Sequence, residues 1–317
     1  MSHKGLLVVA LGGNALQAPD GDDSVASDFE RTRVTAGKLA TLAAAGWRLV
    51  ITHGNGPQVG NHLLRSELAH VHGDLPLLPL DMCVADTQGG MGYMIQQCLT
   101  NALHELHLAG VVVSVVTQAL VDRNDPAFDK SSKPVGEVIP AERAEVLRDQ
   151  GWELAEDAHR HGFRRVVASP DPIEIVEADA IRVMVTDGVL VVAGGGGGVP
   201  VVADEEGSLT GVAAVVDKDF ATALLASDLR ADGLLVLTNV EGVSLDYDTP
   251  QQRLKRSLTV AEARRYLADG QFPPGSMGPK VEAVCRYVEA TGNSGVITSI
   301  DRADGALDRS AGTRITP

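Results

Sequence analysis

The chain has 317 residues, of which 44% are hydrophobic and 22% charged. These fractions fit a globular protein with a sizeable core, built as one large or two modest domains. Its formal net charge of −15 argues against nucleic acid or an anionic membrane surface as the main partner.

Short β-branched runs alternate along the chain with longer amphipathic or alanine-rich segments, which is typical of βα units around a largely parallel sheet. The predicted strands are 6–11, 48–52, 111–117, 164–168, 189–193, 234–238 and 295–299. The predicted helices are 28–45, 57–72, 84–109, 217–229, 259–268 and 278–290. Because the strands are apolar almost throughout, we expect helices to cover both faces of the sheet.

Two regions interrupt this alternation. Residues 122–161 are rich in charge, proline and turn residues, which predicts an inserted flap or small subdomain. Residues 204–211 are polar and turn-forming, which predicts a seam between two lobes. We therefore expect an N-terminal lobe, 1–205, that carries the insertion, and a C-terminal lobe, 206–317.

Targeting and metal-binding signals are weak. No apolar run reaches the roughly 18–20 residues of a membrane span, and strand-like residues follow the start almost at once, so we expect a cytoplasmic protein. The cysteines Cys83, Cys98 and Cys285 have no C-x-x-C spacing, which predicts neither a disulfide framework nor a zinc site. The sequence pairs His70/His72, His104/His107 and His159/His161 lack cysteine or carboxylate partners in any recognised ligand pattern, so no metal site of the protein's own is predicted.

Three predicted strands run directly into glycine-rich turns, in the stretches ALGGNAL, THGNGPQVGN and AGGGGGVP. The turn residues are Gly12, Gly13 and Asn14, then Gly54, Asn55 and Gly56, and finally Gly194 to Gly198. Ligands of a parallel sheet bind beyond the carboxyl ends of its strands, where bare backbone N–H groups form anion sites. Any one turn alone could be a tight βα connection, but together they predict one anion-binding cavity.

Neither common nucleotide scaffold is recognisable. A dinucleotide fingerprint fails at the five glycines because Val199 and Pro200 occupy the positions of its last glycine. The pair Gly37-Lys38 lacks the upstream glycine of a P-loop and precedes Leu39 instead of serine or threonine.

Two lysines lie near predicted helix starts. Lys218 is flanked by Asp217 and Asp219, and Lys280 follows a glycine-proline loop. Phosphoryl transfer needs positive charge on the transferred group and in-line positioning rather than covalent help. Two lysines tethered by a carboxylate would supply that charge, although a single lysine at a helix start is more often a solvated surface residue.

Seven stretches, taken together, carry a family resemblance. They are ALGGNAL, THGNGPQVGN, NDPAF followed by KPVG, SPDPIEIVE, GGGGGVPVV, VVDKDFA and PGSMGPKVEA. Their order and spacing resemble those of the carbamate kinases, in the amino-acid kinase superfamily, over essentially the whole chain. The resemblance implies an α/β fold, an open three-layer αβα sandwich with a mainly parallel sheet of about eight strands and a protruding subdomain, usually as a homodimer.

The resemblance also implies an activity. It is reversible phosphoryl transfer between carbamoyl phosphate and ADP, giving ATP and carbamate, in fermentative breakdown of arginine or related ureido compounds. The N-terminal lobe would bind carbamate or carbamoyl phosphate, and the C-terminal lobe ATP or ADP with Mg²⁺. Since carbamate presents an oxygen that is already anionic, the reaction needs no general base.

Residue roles follow from the same resemblance. Gly12, Gly13, Asn14, Gly194, Gly195 and Gly196 would face the transferred phosphoryl group, and Gly54, Asn55 and Gly56 the carbamate. Lys133 would reach in from the protruding subdomain, while Lys218 and Lys280 would stabilise the phosphoryl group with Asp219 orienting both. Asn239, Val243, Tyr247 and Met277 would surround the adenosine.

The chain departs from the family pattern in two places. ADTQGGMGY places Asp86 and Gly90 in the long third helix, and KPVGEVI places Glu137 beside Lys133. These changes leave two alternatives open, namely a kinase of the same fold for another small carboxylate and a nucleotide-binding regulator without turnover.

Overall fold

The computed structural model describes residues 4–16, 24–149, 152–157, 162–273, 275–306, 308 and 310–317. Asn14 and Asp157 are described by their backbone only.

An eight-stranded sheet forms the centre of the molecule. Across the sheet its strands are β15 (Ser257–Thr259), β17 (Thr313–Thr316), β16 (Gly295–Ser299), β12 (Gly233–Thr238), β1 (Gly5–Leu11), β2 (Trp47–His53), β9 (Leu190–Val192) and β3 (Val112–Ser114). The six strands from β16 to β3 run parallel, whereas β17 lies antiparallel to β16 and parallel to β15. The predicted mainly parallel sheet is therefore confirmed.

Helices lie on both faces of this sheet. The described helices are α1 (Val25–Ala44), α2 (Gly56–Gly73), α3 (Leu80–Glu105), α4 (Ala141–Asp149), α5 (Ala178–Thr186), α6 (Lys218–Asp228), α7 (Val260–Ala268), α8 (Met277–Thr291) and α9 (Ala303–Ala306), of which α4 packs on a smaller sheet instead. Among the described residues, no helix combines the length and apolar character needed to cross a membrane.

Strand β1 shows how the two faces are divided. Successive side chains of a strand point to opposite faces, so Leu7 and Val9 pack in one core with α1 and α3. Val8 and Ala10 pack in a second core with α5, α6 and α8. Because β1 is buried on both sides, its sequence is a continuous apolar run, and the predicted three-layer αβα sandwich is confirmed.

Three smaller sheets complete the fold. A four-stranded sheet contains β11 (Leu209–Gly211), β10 (Val199–Ala203), β4 (Gln118–Val121) and β8 (Pro172–Ile175), and a hairpin pairs β13 (Ser244–Leu245) with β14 (Arg253–Leu254). An antiparallel sheet contains β5 (Lys133–Ile139), β7 (Gly162–Val167) and β6 (Leu154–Asp157). We call this antiparallel sheet together with α4 the flap. Predicted strand 164–168 lies in the flap rather than in the central sheet.

The predicted strand 111–117 is shorter in the structure. Only Val112–Ser114 pairs with β9, because the chain then turns toward α3. There the Gln88 side chain accepts a hydrogen bond from the Thr117 N–H at 2.8 Å and donates one to the Thr117 carbonyl at 3.0 Å. This clamp draws the backbone out of the sheet and leads it into β4.

Candidate active site

The three glycine turns meet at the carboxyl ends of β1, β2 and β9. They border a cavity of about 300 Å³, which we call the catalytic cavity. Its lining includes the predicted residues Gly13, Gly54, Asn55, Gly56, Lys133, Gly196 and Lys218. Gly12, Gly194, Gly195, Asp219 and Lys280 lie outside this lining, and the Asn14 side chain lies outside the described part of the chain.

The N-terminus of α6 delivers the central lysine. Asp217 caps the helix, because its Oδ1 accepts a hydrogen bond from the Asp219 N–H at 2.9 Å. The next residue, Lys218, donates from Nζ to the Leu11 carbonyl at 2.7 Å. That carbonyl ends β1, so the ammonium lies directly beneath the first glycine turn.

Asp219 connects two lysines. Its carboxylate is only 4% exposed, with Oδ2 accepting from Lys280 Nζ at 2.9 Å and Oδ1 lying 3.9 Å from Lys218 Nζ. Burial opposes ionisation, but the two ammonium groups outweigh it and hold the pKa of Asp219 below its usual range. Within the described residues, Oδ1 accepts no hydrogen bond. The predicted tethering of Lys218 and Lys280 by Asp219 is thus present in the geometry.

The surroundings of Lys218 destabilise its positive charge. Burial lowers its pKa from 10.5 to about 8, since the loss of water destabilises the charge more than Asp219 stabilises it. Lys280 and Lys133 add repulsion, and Asp217 adds attraction. An anion entering the cavity would relieve this destabilisation, which makes the site a receptor for negative charge.

The flap contributes a further cation. Lys133, at the start of β5, forms an ion pair with Asp217 Oδ2. Two contacts seat the flap on α2: Gly60 lies against Gly136, where a Cβ on Gly60 would come 1.9 Å from the Gly136 Cα, and Arg165 pairs with Glu67 at 2.7 Å.

The five glycines are buried and form a rigid turn. Gly194, Gly196, Gly197 and Gly198 have φ between 60° and 94°, a region that side chains other than glycine rarely adopt. A Cβ on Gly195 would come 2.6 Å from His53 Nε2, and one on Gly196 would come 2.1 Å from Asn55 Oδ1. Gly196 lines the catalytic cavity, and the missing side chain of Gly195 leaves space for the buried His53.

His53 lies behind this wall and is nearly inaccessible. Burial lowers its pKa to about 4, although its hydrogen-bonding contact with the Gly54 carbonyl opposes that shift. The imidazole is therefore neutral at pH 7, and it does not line the catalytic cavity.

A second cavity, of about 110 Å³, is lined by Lys280, the other lysine that contacts Asp219. Its lining includes the predicted residues Asn239, Tyr247, Met277 and Lys280. Val243 does not line it, because this residue is fully buried and its N–H donates to Thr313 Oγ1 at 2.7 Å. We call this the C-terminal cavity, and its Lys280 is linked to Lys218 of the catalytic cavity through Asp219.

Sequence reasoning missed two charged residues of the site. Arg164 of β7 lines the catalytic cavity and donates to the Gly136 carbonyl at 2.9 Å. Asp217 binds Lys133 and caps α6. The Asp217 cap is detectable in the sequence, since aspartate before an apolar helix is a start signal, whereas nothing in the sequence indicates that Arg164 faces the cavity.

The three residues named at the two departures from the family pattern line a different cavity. Asp86, Gly90 and Glu137 line a space of about 370 Å³ that adjoins the catalytic cavity and shares three lining residues with it, Pro57, Gln58 and Met91. Glu137 does not line the catalytic cavity itself. The Glu137 carboxylate therefore lies beside the catalytic cavity rather than in it.

Across the described ranges, no group of three or more His, Cys, Asp or Glu side chains could hold a metal ion. Magnesium is commonly bound through substrate phosphates with one or two carboxylates.

Comparisons with known proteins agree with one another. The model of the amino acid kinase family matches residues 5–299. The carbamate kinase of Pyrococcus furiosus is 45% identical over 98% of this chain and 99% of its own length. The Giardia lamblia carbamate kinase structure with citric acid has a TM-score of 0.94 and 38% identity, and covers 100% of this chain and 99% of its own. The Giardia lamblia enzyme bound to AMP-PNP has a TM-score of 0.90 and 39% identity, with 100% and 99% covered.

Proposed function

The chain belongs to the carbamate kinases of the amino acid kinase family, and from this membership we propose that it transfers a phosphoryl group reversibly between carbamoyl phosphate and ADP, giving ATP and carbamate. The observation that carries the proposal is the buried carboxylate of Asp219, which ties a lysine of the catalytic cavity to a lysine of the C-terminal cavity. A group passing between the two cavities would cross this pair of ammonium ions.

We assign the two substrates to the two cavities. Carbamoyl phosphate or carbamate would lie against Gly13, Gly54, Asn55 and Gly56, where the three glycines let a ligand approach the backbone without an intervening side chain. The nucleotide would occupy the C-terminal cavity beside Asn239, Tyr247 and Met277, with its terminal phosphate toward Lys280. The Giardia lamblia relative, bound to AMP-PNP, supports nucleotide use, and the nucleotide would enter as its magnesium complex.

The side chains act through charge and position. Lys218 and Lys280 would stabilise the equatorial oxygens of the transferred phosphoryl group, where charge accumulates in the transition state. Lys133 would hold the carbamoyl end from the flap. No described side chain needs to remove a proton, because the attacking oxygen of carbamate is already an anion. The neutral, buried His53 agrees with such a mechanism.

The lobes 1–205 and 206–317, the homodimer, the cytoplasmic location and a place in arginine or ureido-compound breakdown belong to the same proposal. The homodimer and the pathway rest on the sequence resemblance, the boundary between the lobes on the polar stretch 204–211, and the location on the sequence features given above. Two distinct cavities are in keeping with one lobe for each substrate.

An ATP-formation assay tests the activity. Purified protein is mixed with carbamoyl phosphate and MgADP, ATP is read by luminescence, and the spontaneous decomposition of carbamoyl phosphate is subtracted. Lys218→Ala is expected to lower kcat/KM by about 100-fold or more, the usual scale for losing one preorganised charge. Lys38→Ala is the matched control, since Lys38 only pairs with Asp304 on the surface. Wild-type rates no higher than those of Lys218→Ala would refute the proposal.

A kinase for another small carboxylate is the second candidate. It is favoured by the cavity that Asp86, Gly90 and Glu137 line beside the catalytic cavity. It predicts that ADP forms from MgATP faster with some other short carboxylate than with carbamate. Competition between carbamate and a panel of such acids, read as ADP release, distinguishes the two.

A further inference from the structure

Asp217 joins two parts of the molecule that are far apart in sequence. One carboxylate oxygen binds Lys133 of the flap, and the other caps α6 through the Asp219 N–H. The capped helix carries Lys218 and Asp219 in its first turn. The same residue, at the start of α6, therefore fixes the position of Lys133 in the flap and of Lys218 in the helix.

The ion pair is well placed to persist. Asp217 is only 14% exposed on its side chain and Lys133 is 29% exposed, so water screens the pair less than it would screen one on the open surface. A lysine ammonium has three N–H donors. It can therefore keep its bond to Asp217 and donate to an anion in the catalytic cavity, which Lys133 also lines.

We propose that Asp217 is a positioning residue, which holds the Lys133 ammonium over the catalytic cavity and the flap in its closed place before substrate binds. The inference rests on the proposed function for its effect on catalysis, but its effect on the flap is independent of any activity. Without Asp217, a long flexible side chain would have to be ordered by the substrate itself, at a cost in binding energy.

One substitution, Asp217→Asn, separates the two duties of this carboxylate. The amide oxygen of the new side chain would still cap the helix, since asparagine caps as well as aspartate does. The other group of that side chain is an NH₂, which cannot accept a hydrogen bond from Lys133. The substitution thus removes the ion pair while it preserves the start of α6.

A double-mutant cycle with Lys133→Ala measures the coupling. Its first readout is the rate of trypsin cleavage after Arg143 and Arg148 of the flap and after Lys130, which lies just before it. Lys133 precedes a proline, so its replacement removes no cleavage site. We expect Asp217→Asn and Lys133→Ala each to raise this rate several-fold, and the double variant to be cleaved no faster than Lys133→Ala alone.

The second readout is kinetic. Asp217→Asn is expected to raise the KM for carbamoyl phosphate about tenfold with a smaller change in kcat, and to have no further effect in the Lys133→Ala background. Glu67→Gln is the matched control, since it breaks the other flap ion pair, with Arg165, outside the catalytic cavity. Its effects should add to those of Lys133→Ala.

Three results would overturn the inference. They are additive effects of Asp217→Asn and Lys133→Ala on flap cleavage, a cleavage rate of Asp217→Asn equal to that of the wild type, and a higher kcat/KM in Asp217→Asn, which would show that the carboxylate competes with the substrate for Lys133. If the wild type makes no ATP, the proposed function fails, while the cleavage cycle still decides the role of Asp217.

Discussion

The chemistry of the site depends on how one ammonium group is buried. Lys218 is 13% exposed on its side chain and lies among Asp217 and Asp219 of its own helix, Lys280 of α8 and Lys133 of the flap. Since burial outweighs the carboxylates, its pKa falls to about 8. At neutral pH the residue is therefore close to the pH at which it loses its charge, and anion binding would be lost with that charge.

This pKa predicts a basic limit to activity. The pH profile of kcat/KM, which reports the free enzyme, should fall above about pH 8 as Lys218 loses its proton. In the profile of kcat the fall should occur at higher pH, because bound phosphate favours the charged ammonium. ATP formation measured from pH 6 to pH 10, with carbamoyl phosphate decay subtracted at each pH, checks both limbs. A kcat/KM that stays level to pH 10 would contradict this assignment.

Two glycines with positive φ provide a second test at the residue scale. Gly196→Ala would force a Cβ into the Asn55 amide, whereas a Cβ on Gly207 would meet nothing within 4 Å. Both changes incur backbone strain of about 1 kcal/mol, but only Gly196→Ala also disturbs a wall of the catalytic cavity. We expect Gly207→Ala to be less stable but to keep its ATP formation. We expect Gly196→Ala to lose more stability and most of its ATP formation. Thermal unfolding and the luminescence assay on both variants measure the difference.

The flap is positioned as a whole by α2. Their contact is backbone against backbone at Gly60 and Gly136, and Arg165 and Glu67 brace it further along the helix. Since Lys133 opens the strand that contains Gly136, any change in the spacing of flap and helix moves a lysine of the site.

Substitutions on α2 should reveal this dependence. Gly60→Ala would place a Cβ 1.9 Å from the Gly136 Cα and push the flap outward. Displacements of about 1 Å can cost on the order of 100-fold in rate, so we expect kcat/KM to fall by at least tenfold. Gly73→Ala, on the same helix with open space around it, should keep full activity. Equal activities of the two variants would mean that the flap does not rely on this contact.

The elements show what a sequence can and cannot predict. Strand β1 is buried on both faces, which gives its sequence a continuous apolar run, and α1 is buried on one face, which gives its sequence a periodic pattern. Both elements were therefore predictable. Helix α5 was missed because its ADAIRVMVT sequence is rich in β-branched residues, and it is helical because Ile181 and Val185 pack on the core. The strand 164–168 was found, but its place in the flap depends on pairing with a distant segment.

The candidate site divides in the same way. Glycine turns after strands and the lysine of VVDKDFA carry local signals, so the turn residues and the Lys218 that line the catalytic cavity could be named in advance. Val243, which packs in the core, and Arg164, which faces the cavity, differ from expectation for a shared reason. Which way a side chain points in an irregular segment is set by tertiary contacts, such as the hydrogen bond from the Val243 N–H to Thr313.

For the molecule as a whole, stability and the site share the central sheet. The same strands that separate the two cores end in the glycine turns, and one strand residue at that edge is the buried His53. A group whose protonated form is disfavoured only in the folded state links global stability to pH.

The link has a definite sign. The pKa of His53 is about 4 in the folded chain against 6.5 for the free side chain, so the unfolded state binds more protons between these values. Stability from His53 is full above pH 6.5 and is lost as the pH falls toward 4, by about 3 kcal/mol in all. Denaturant unfolding at several pH values should give a steeper acid slope for the wild type than for His53→Gln. Parallel slopes would show that His53 is not the group responsible.

The placement of Asp219 makes the binding of one substrate depend on the binding of the other. One carboxylate balances an ammonium in each cavity, so a ligand that draws on one lysine changes the electrostatic field at the other. Two binding equilibria that share such a group are thermodynamically coupled, and the coupling is the same in either direction. The factor by which a nucleotide alters the affinity for carbamoyl phosphate must therefore equal the factor by which carbamoyl phosphate alters the affinity for that nucleotide.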